Sequence, residues 1–378
     1  MGKNKNNNAK NTNAKSNAKS NTKYPMVSIC TPTFNRRPFV PAMLKCFDTQ
    51  TYPKDRMEWI IIDDGTDKIE ELVTHIPQVK YFKYDEKMTL GKKRNLLNEK
   101  ASGDILVYMD DDDYYPPDRV SHAVEMLMSS PKALCAGSSA MFIYFKHINK
   151  MLQFGPYGPN HATAATFAFK RALLSTTRFD EASSVAEEKK FLKDYTVPFV
   201  QLDPKKSILV FSHNHNSFDK KELLKHGPNP TIHETTVTPA ELVKDAGILK
   251  FFMEDIDPLL DAYEPGRPEH KPDVTKQLIE LRAQREKMMA EQTKKQAEYQ
   301  ETMNKMQVAN NPAAIQNKFN EMSGIIQQLT VENGKLTDKV KYLEDKMKQL
   351  INERIQEKMK ERHIALSNAS PTVTMPVS

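Results

Sequence analysis

The fold class of this chain follows from one stretch, Asp104-Ile-Leu-Val-Tyr-Met-Asp-Asp-Asp-Asp113. The apolar run from Ile105 to Met109 follows Gly103 and is typical of a buried strand in a parallel sheet. It ends in four consecutive carboxylates, Asp110 to Asp113, which repel one another. Because open α/β sheets bind ligands at the carboxyl ends of their strands, a divalent cation would most simply relieve this repulsion. Oxygen ligands favour Mg²⁺ or Mn²⁺, and the simpler alternative is a solvated acidic turn.

The same order of a buried strand followed by polar residues recurs upstream of this stretch. Strands are predicted at 27–34, 58–62 and 79–84, and helices at 38–48 and 90–102. Because strands that alternate with helices form right-handed crossovers, the sequence predicts an α/β fold with a mostly parallel sheet flanked by helices. Asp63 and Asp64 follow the second strand, so we expect them to share one edge of the sheet with Asp110 to Asp113.

Downstream of the acidic stretch, the sequence predicts a helix at 119–129, a short helix that opens at Glu187-Glu188 and a last strand at 208–211. This strand leads into His213-Asn-His215, in which the two histidines share a face. The pair could ligate a metal ion, but two polar histidines at a strand end more often bind none.

The length and composition restrict the class of protein. With 378 residues and 39% hydrophobic residues the chain can bury a sizeable core, and its length allows two or three domains. No apolar run approaches the roughly 20 residues that span a bilayer, and the N-terminus lacks the apolar region of a signal peptide. These features predict a soluble, cytoplasmic protein without a transmembrane segment.

The cysteines do not indicate disulfides or a zinc site, and the net charge does not indicate a nucleic-acid partner. Cys30, Cys46 and Cys135 are odd in number and lack Cys-x-x-Cys spacing, so we expect small core side chains rather than disulfides or a zinc site. The net charge of +6 belongs to residues 1–23, which hold six lysines and no acid. This tail is predicted to be disordered, and the near-neutral remainder gives no indication of a specific nucleic-acid partner.

The composition changes near residue 265 to Glu, Lys, Gln and Met. Residues 266–311 are predicted as a linker and charged helix, 312–365 as a parallel coiled coil and 366–378 as a disordered tail. In the coiled coil, apolar residues recur every seven positions, with Asn333 as the one polar residue at position a. The d positions are Ile315, Met322, Leu329, Leu336, Leu343 and Leu350, and the a positions are Phe319, Ile326, Asn333, Val340 and Met347. This pattern predicts a homodimer through residues 312–360, with Asn311 as the N-cap of its helix.

Several of these stretches together resemble the family 2 glycosyltransferases, which use nucleotide sugars and have the GT-A fold. The matching pieces lie within residues 27–36, 60–66, 91–95 and 101–119, and more loosely at Ala186-Glu-Glu188. The resemblance implies a GT-A domain at 24–265, whose second half, from about residue 130, matches only in outline. Nothing after residue 265 belongs to the family.

Carried over position by position, the resemblance implies a role for each matching polar residue in donor binding. Pro32 and Thr33 would form the rim that holds the nucleoside, and Asp64 would accept the N3 hydrogen of uracil. A carboxylate suits this role because the imide N–H is a donor and the charge strengthens the bond. Arg94 would lie near the base or the phosphates.

The resemblance also implies which carboxylates bind the metal ion and which one acts as the base. Asp110-x-Asp112 is similar to the Asp-x-Asp signature, with Asp112 as the direct ligand of Mn²⁺ or Mg²⁺ and Asp110 on the ribose or on metal-bound water. Asp111 adds local negative charge beside the donor. Glu188, with Glu187 as the alternative, would deprotonate the acceptor hydroxyl in an inverting transfer from a UDP-sugar. Most family members have Glu-Asp where this chain has Glu187-Glu188.

Three other functions are alternatives to a glycosyltransferase. A catalytically inactive GT-A scaffold that assembles through its coiled coil is the main alternative. A leucine-zipper DNA-binding protein would need a basic helix that runs continuously into the zipper, whereas Asn310-Asn311-Pro312 interrupts the helix. A nucleotidyltransferase would need a glycine-rich phosphate loop near the first strand, and the sequence has none there.

Overall fold

The computed structural model describes residues 24–225, 229–308 and 312–367. The predicted tail at 1–23, the predicted N-cap Asn311 and nearly all of the predicted tail at 366–378 lie outside these ranges. The chain divides into two compact units, one up to Gln284 and one from Arg285 onward. The first unit therefore extends beyond residue 265, the predicted end of the first domain.

Up to residue 129, the first unit alternates strands and helices as the sequence predicts. Its strands are β1 Val27–Thr33, β2 Met57–Asp63, β3 Val79–Lys83, β4 Ile105–Tyr108, β5 Cys135–Gly137, β6 Met141–Phe145, β7 Lys150–Phe154, β8 Ala168–Lys170, β9 Phe199–Gln201, β10 Leu209–Ser212 and β11 Ile232–Glu234. Its helices are α1 Val40–Asp48, α2 Glu70–Val73, α3 Leu90–Lys100, α4 Arg119–Ser129, α5 Glu188–Phe191, α6 Pro239–Leu242, α7 Ala246–Lys250 and α8 Ile256–Asp261. Helix α9, Pro272–Val308, begins in this unit and ends in the second.

The larger sheet has the strand order β3-β2-β1-β4-β8-β5-β9. Strands β3, β2, β1 and β4 are mutually parallel, and β1 lies between β2 and β4. The ends of β2 and β4 therefore lie at the same edge of the sheet, which confirms the predicted shared edge for Asp63 and the Asp110 to Asp113 stretch.

Both faces of the larger sheet are buried at its central strands. Every residue of β1, β2 and β4 is buried, and alternate residues enter two separate hydrophobic clusters. Ile29 and Trp59 pack in the cluster that includes α1 and α4, whereas Cys30 and Ile60 pack in the cluster that includes α3. Near-continuous apolar runs, as in β4, are typical of strands whose two faces are both covered. The three cysteines are buried and free, as predicted.

Two features of the sheets were not predicted. Strand β8 is antiparallel to both β4 and β5, so the larger sheet is mixed. A second, four-stranded sheet has the order β10-β6-β7-β11. Residues Tyr114 and Leu209 join this sheet to the acidic stretch through two backbone hydrogen bonds of 3.0 and 2.9 Å. The segment that follows β10 is thereby held next to the residues that follow β4.

The second unit consists of the remainder of α9 and of helix α10, Pro312–Ser367. The apolar residues at the predicted a and d positions of α10, from Ile315 to Leu350, are all more than half exposed. The helix itself confirms the predicted helical structure, whereas the coiled coil remains a prediction. None of the helices in the described ranges is both long enough and apolar enough to cross a bilayer.

Replacement of Gly91 by alanine tests how closely the start of α3 packs. The Gly91 N–H donates to the carbonyl oxygen of Ser183 at 2.8 Å, and a β-carbon at Gly91 would lie 1.8 Å from the carbonyl oxygen of Asp180. We expect Gly91→Ala to lower the free energy of unfolding by about 1–3 kcal/mol, despite the better helix propensity of alanine. Chemical denaturation measures this change.

Gly158→Ala is the matched control, because a β-carbon there would meet only the His161 β-carbon at 3.9 Å. Equal stability of the Gly91→Ala variant and the parent would show that the loop at 180–183 does not pack against α3 as described.

Candidate functional site

A cavity of about 340 Å³ opens at the edge of the larger sheet where β1 and β4 end. Its wall is formed by residues after β1, by the start of α3 and by the acidic stretch after β4. The segments 163–165, 184–188 and 271–274 complete it. Most predicted site residues line this cavity, namely Pro32, Arg94, Asp110, Asp111, Asp112, Glu187 and Glu188.

Arg94 links the acidic stretch to the predicted base segment. Its guanidinium, which is 2% exposed, donates to both carboxylate oxygens of Asp110 at 3.3 and 3.2 Å and to Glu187 at 2.7 Å. Its Cζ also lies 4.6 Å from the centre of the Tyr108 ring. Burial alone would lower the pKa of Arg94, but the negative charges of Asp110 and Glu187 outweigh burial. The net shift of the pKa is upward, so the guanidinium stays charged.

Arg36 pairs with the next two carboxylates of the stretch. Its side chain lies 3.5 Å from Asp111 and 3.1 Å from Asp112, and it also donates to the carbonyl oxygen of His215 at 2.9 Å. Burial raises the pKa of Asp111 to about 7 although Arg36 opposes the shift. Burial would also raise the pKa of Asp112, but Arg36 and His213 outweigh it and the net shift is downward. Asp112 is therefore the carboxylate of this pair that stays ionised at neutral pH.

His213 is the histidine that reaches the acidic stretch, because it follows β10 directly. Its Nε2 lies 3.5 Å from Asp112 and 2.8 Å from the side-chain amide of Asn216. Burial lowers the pKa of His213 to about 3, so the ring is neutral, which is the form that binds metal ions. Its Nδ1 is buried and has no hydrogen-bond partner within the described part of the chain. His215, in contrast, stacks near Tyr263.

The residues around Asp112 offer fewer than three metal ligands. Across residues 24–225, 229–308 and 312–367, no group of three or more His, Cys, Asp or Glu side chains is arranged to hold a metal ion. Mg²⁺ commonly takes one or two carboxylates and completes its shell with phosphate oxygens and water. Asp112, which lines the cavity, therefore fits a cation that arrives with a phosphate ligand, and the neutral His213 lies beside it.

The two adjacent glutamates have different environments. Glu187 is 4% exposed and held by Arg94, whereas Glu188 opens α5 and is only partly buried. Burial, and then the negative charge of Glu187, raise the pKa of Glu188 to about 7. The residue before them, Ala186, has a left-handed backbone with φ of 54°, a strained conformation that often marks functional segments. Glu188 is thus able to exchange a proton near neutral pH.

Asp64 and Thr33 lie one layer behind the cavity wall. Asp64 is 1% exposed, accepts the N–H of Met88 at 2.6 Å and forms a close ion pair with Lys93. Lys93 also donates to the carbonyl oxygen of Thr33 at 3.1 Å, and Thr33 is 2% exposed. Both Met88 and Lys93 line the cavity. The direct contact of Asp64 with uracil remains a prediction, whereas its contacts here position two lining residues.

The start of α9 contributes to the cavity, which no sequence pattern predicts. Asp273 lines the cavity, pairs with Lys87 and accepts from the Ser184 hydroxyl at 2.5 Å. Gln277 accepts the N–H of Ser184 at 2.8 Å and donates to the carbonyl oxygen of Ala182 at 2.6 Å. These contacts hold the loop that leads to Glu187 and Glu188. No motif in the sequence marks them, because each partner lies about 90 or more residues away.

The family model described as Glycosyl transferase family 2 matches residues 28–178. An uncharacterized glycosyltransferase of Haemophilus influenzae is 30% identical over 122 residues, which are 31% of this chain and 48% of the relative. The poly(ribitol-phosphate) β-N-acetylglucosaminyltransferase of Staphylococcus aureus is 26% identical over 113 residues, 26% of this chain and 18% of the relative. The chain therefore spans about half or less of the length of these curated relatives.

Solved structures resemble the chain at lower identity. The Staphylococcus aureus TarS fragment 1–349 in complex with UDP-GlcNAc has a TM-score of 0.38 and 19% identity, and the match covers 49% of this chain and 58% of that chain. A mannosyltransferase from Pyrobaculum calidifontis in complex with GDP-Man and Mn²⁺ has a TM-score of 0.42 and 17% identity, with 55% and 67% covered.

The family match and the fold agree with each other. The mixed sheet with helices on both faces has the arrangement expected of a GT-A fold. The matched range holds the acidic stretch together with Arg36 and Arg94, and it ends before Glu187. Residues 28–178 are therefore similar to the glycosyltransferase family 2 model in both sequence and fold.

Proposed function

We propose that this chain is a metal-dependent, inverting glycosyltransferase that moves a sugar from a UDP-sugar to an acceptor hydroxyl. The observation that carries the proposal is a single cavity lined by Asp110 to Asp112 and by Glu188, beside a family 2 segment. Such a transfer requires that the departing diphosphate is stabilised and that a proton leaves the acceptor hydroxyl. The cavity offers separate groups for these two tasks.

Asp112 would hold the divalent cation, and His213, whose Nε2 lies 3.5 Å from Asp112, would join it once that nitrogen releases the Asn216 amide. Asp112 stays ionised beside Arg36, and 16% of its side chain is exposed. Asp110 is held by Arg94 and, as the resemblance implies, would contact the ribose or metal-bound water. When bound, Mn²⁺ or Mg²⁺ would supply Lewis-acid stabilisation of the diphosphate oxygens.

Glu188 would take the proton of the acceptor hydroxyl. A pKa raised to about 7 suits a general base at neutral pH, because the group is ionised often enough and still binds a proton well. The hydroxyl oxygen would attack the anomeric carbon on the side opposite the leaving diphosphate, which inverts the configuration. Glu187, fixed by Arg94, orients the segment that presents Glu188.

The experiment that tests the proposal is a panel of UDP-sugars incubated with the chain and Mn²⁺ or Mg²⁺. UDP-N-acetylglucosamine belongs in the panel, because the Staphylococcus aureus relative is named an N-acetylglucosaminyltransferase. Metal-dependent release of UDP in the presence of an acceptor supports the proposal. Absence of both UDP binding and UDP release with every donor would favour an inactive scaffold instead.

Asp112→Asn tests the predicted cation ligand. We expect the variant to lose Mn²⁺-dependent UDP binding, measured by calorimetry, because an anionic ligand is removed. The fold should persist, because Arg36 keeps Asp111 as a partner and the repulsion within the stretch decreases. Asp85→Asn, at an exposed position, is the control that should bind UDP like the parent. An Asp112→Asn variant that binds UDP and Mn²⁺ unchanged would place the metal site elsewhere.

Glu188→Gln tests the predicted base. We expect transfer to fall by at least about 10²-fold with donor binding nearly unchanged, because only proton removal in the transition state is lost. In the parent, the rate should fall about tenfold per pH unit below pH 7, because protonation inactivates a base whose pKa is raised to about 7.

The residual rate of Glu188→Gln should lack this dependence on pH. Glu99→Gln, at an exposed position of α3, serves as the control and should keep both the rate and the pH profile of the parent. Full activity of Glu188→Gln would transfer the role to Glu187 or another acid.

We further propose that α10 joins two copies of the chain in parallel. Its a and d side chains from Ile315 to Leu350 form a stripe that is more than half exposed on the single helix. Leucine at d favours two strands, and Asn333 at a would pair with its own copy only in a parallel dimer. Lys339 at g and Glu344 at e also face each other in that register.

Sedimentation of the full chain and of a truncation at residue 308 tests this assembly. We expect a dimer and a monomer respectively, with the truncated chain retaining the start of α9 at the cavity. Asn333→Leu should raise the stability of the assembly and make its stoichiometry less uniform, whereas Gln328→Leu, outside the stripe, should not. A full-length chain that is monomeric at micromolar concentration would contradict the proposal.

A further inference from the structure

Lys271 lines the cavity from the segment just before α9, outside the family 2 match. The residue is 4% exposed. Its Nζ lies 3.4 Å from the carbonyl oxygen of His215 and 3.2 Å from the hydroxyl oxygen of Ser217, and it donates to both. These two long hydrogen bonds with neutral groups are little compensation for an ammonium group taken out of water.

Lys271 differs from the other cations that line the cavity. Each of the others forms an ion pair with a carboxylate: Arg36 with Asp111 and Asp112, Lys87 with Asp273, Lys93 with Asp64, and Arg94 with Asp110 and Glu187. Among the cavity cations in the described ranges, Lys271 alone has no carboxylate within 4 Å. A buried charge is normally paired, so the position favours an anion that comes from outside the chain.

We propose that Lys271 binds a phosphate group of the diphosphate in the donor nucleotide. This inference rests on the proposed function and adds to it a residue that no motif assigns. Lysine is a compact point charge that binds phosphate oxygens well, and the hydrogen bond is strengthened by both charges. Lys271 lines the same cavity as Asp111 and Asp112, where the acidic stretch would meet the diphosphate through a cation.

The surroundings of Lys271 support this role. The adjacent start of α9 is fixed by Asp273, through Lys87 and Ser184, so the lysine is positioned before any ligand arrives. Burial, and then the positive charge of Arg36, lower the pKa of Lys271 to about 7. An anion bound beside the ammonium group would offset both effects.

A purely structural role for Lys271 makes a different prediction. If the lysine served only to hold the chain at His215 and Ser217, its removal would destabilise the protein without any ligand. If Lys271 binds a diphosphate, its replacement by methionine should not lower the stability of the protein without ligand. Methionine fills similar space, and the replacement removes an unpaired buried charge. Measurements of the stability without ligand and of the affinity for phosphate therefore distinguish the two roles.

The experiment compares Lys271→Met and Lys271→Arg with the parent and with Lys276→Met, an exposed control on α9. Calorimetry measures binding of UDP and of inorganic pyrophosphate with Mn²⁺, and ligand-observed NMR measures binding of uridine. We expect Lys271→Met to weaken UDP and pyrophosphate binding by about 10- to 100-fold and to leave uridine binding unchanged. Its melting temperature without ligand should equal or exceed that of the parent, and Lys271→Arg should recover part of the affinity.

Three results would overturn the inference. Unchanged UDP and pyrophosphate binding by Lys271→Met would remove Lys271 from the phosphate site and leave the proposed function standing. Parallel loss of uridine binding and of melting temperature would assign Lys271 a structural role. A parent chain that binds neither UDP nor pyrophosphate would contradict the inference and the proposed function together.

Discussion

The buried guanidinium of Arg94 is the contact on which the candidate site depends. A 2% exposed arginine is tolerated because two carboxylates from different parts of the chain neutralise it. Asp110 follows β4, and Glu187 lies in the loop before α5. Loss of one partner from such a group typically costs about 3–5 kcal/mol, because the remaining charge stays buried. Arg94 thereby holds the acidic stretch and the predicted base segment next to each other.

The cavity holds opposite charges that are already paired in the absence of a ligand. Arg36 neutralises Asp111 and Asp112, and Arg94 neutralises Asp110 and Glu187. A metal-bound diphosphate would bring both a new cation for Asp112 and a new set of anions. Ligand binding would then exchange one set of ion pairs for another, which limits the net charge that the cavity must accommodate. Among the cavity cations that the structure describes, Lys271 is the one without a carboxylate within 4 Å to exchange.

Much of the fold could be predicted from the sequence, because local patterns carry it. The β-rich run of β1 and the largely apolar runs of β2 and β4 predict strands of a buried sheet, and the spacing of α4 predicts its bounds at Arg119 and Ser129. The acidic residues after β2 and β4 fall at one edge because parallel strands end together. The matching stretches between residues 27 and 119 also resemble the family 2 glycosyltransferases, and the family model matches residues 28–178.

The sequence by itself thus determined strands β1 to β4 and β10, helices α1, α3, α4 and α10, the acidic edge and the heptad stripe of α10, since each depends on neighbouring residues and a fixed period. Only the tertiary structure decided which charges meet. Arg94 and Glu187 are 93 residues apart, and His213 reaches Asp112 because Tyr114 and Leu209 join the second sheet to the acidic stretch. Lys271 enters the cavity from beyond the predicted domain end. Such pairings depend on chain topology and on the burial of charge, and neither leaves a periodic signal in the sequence.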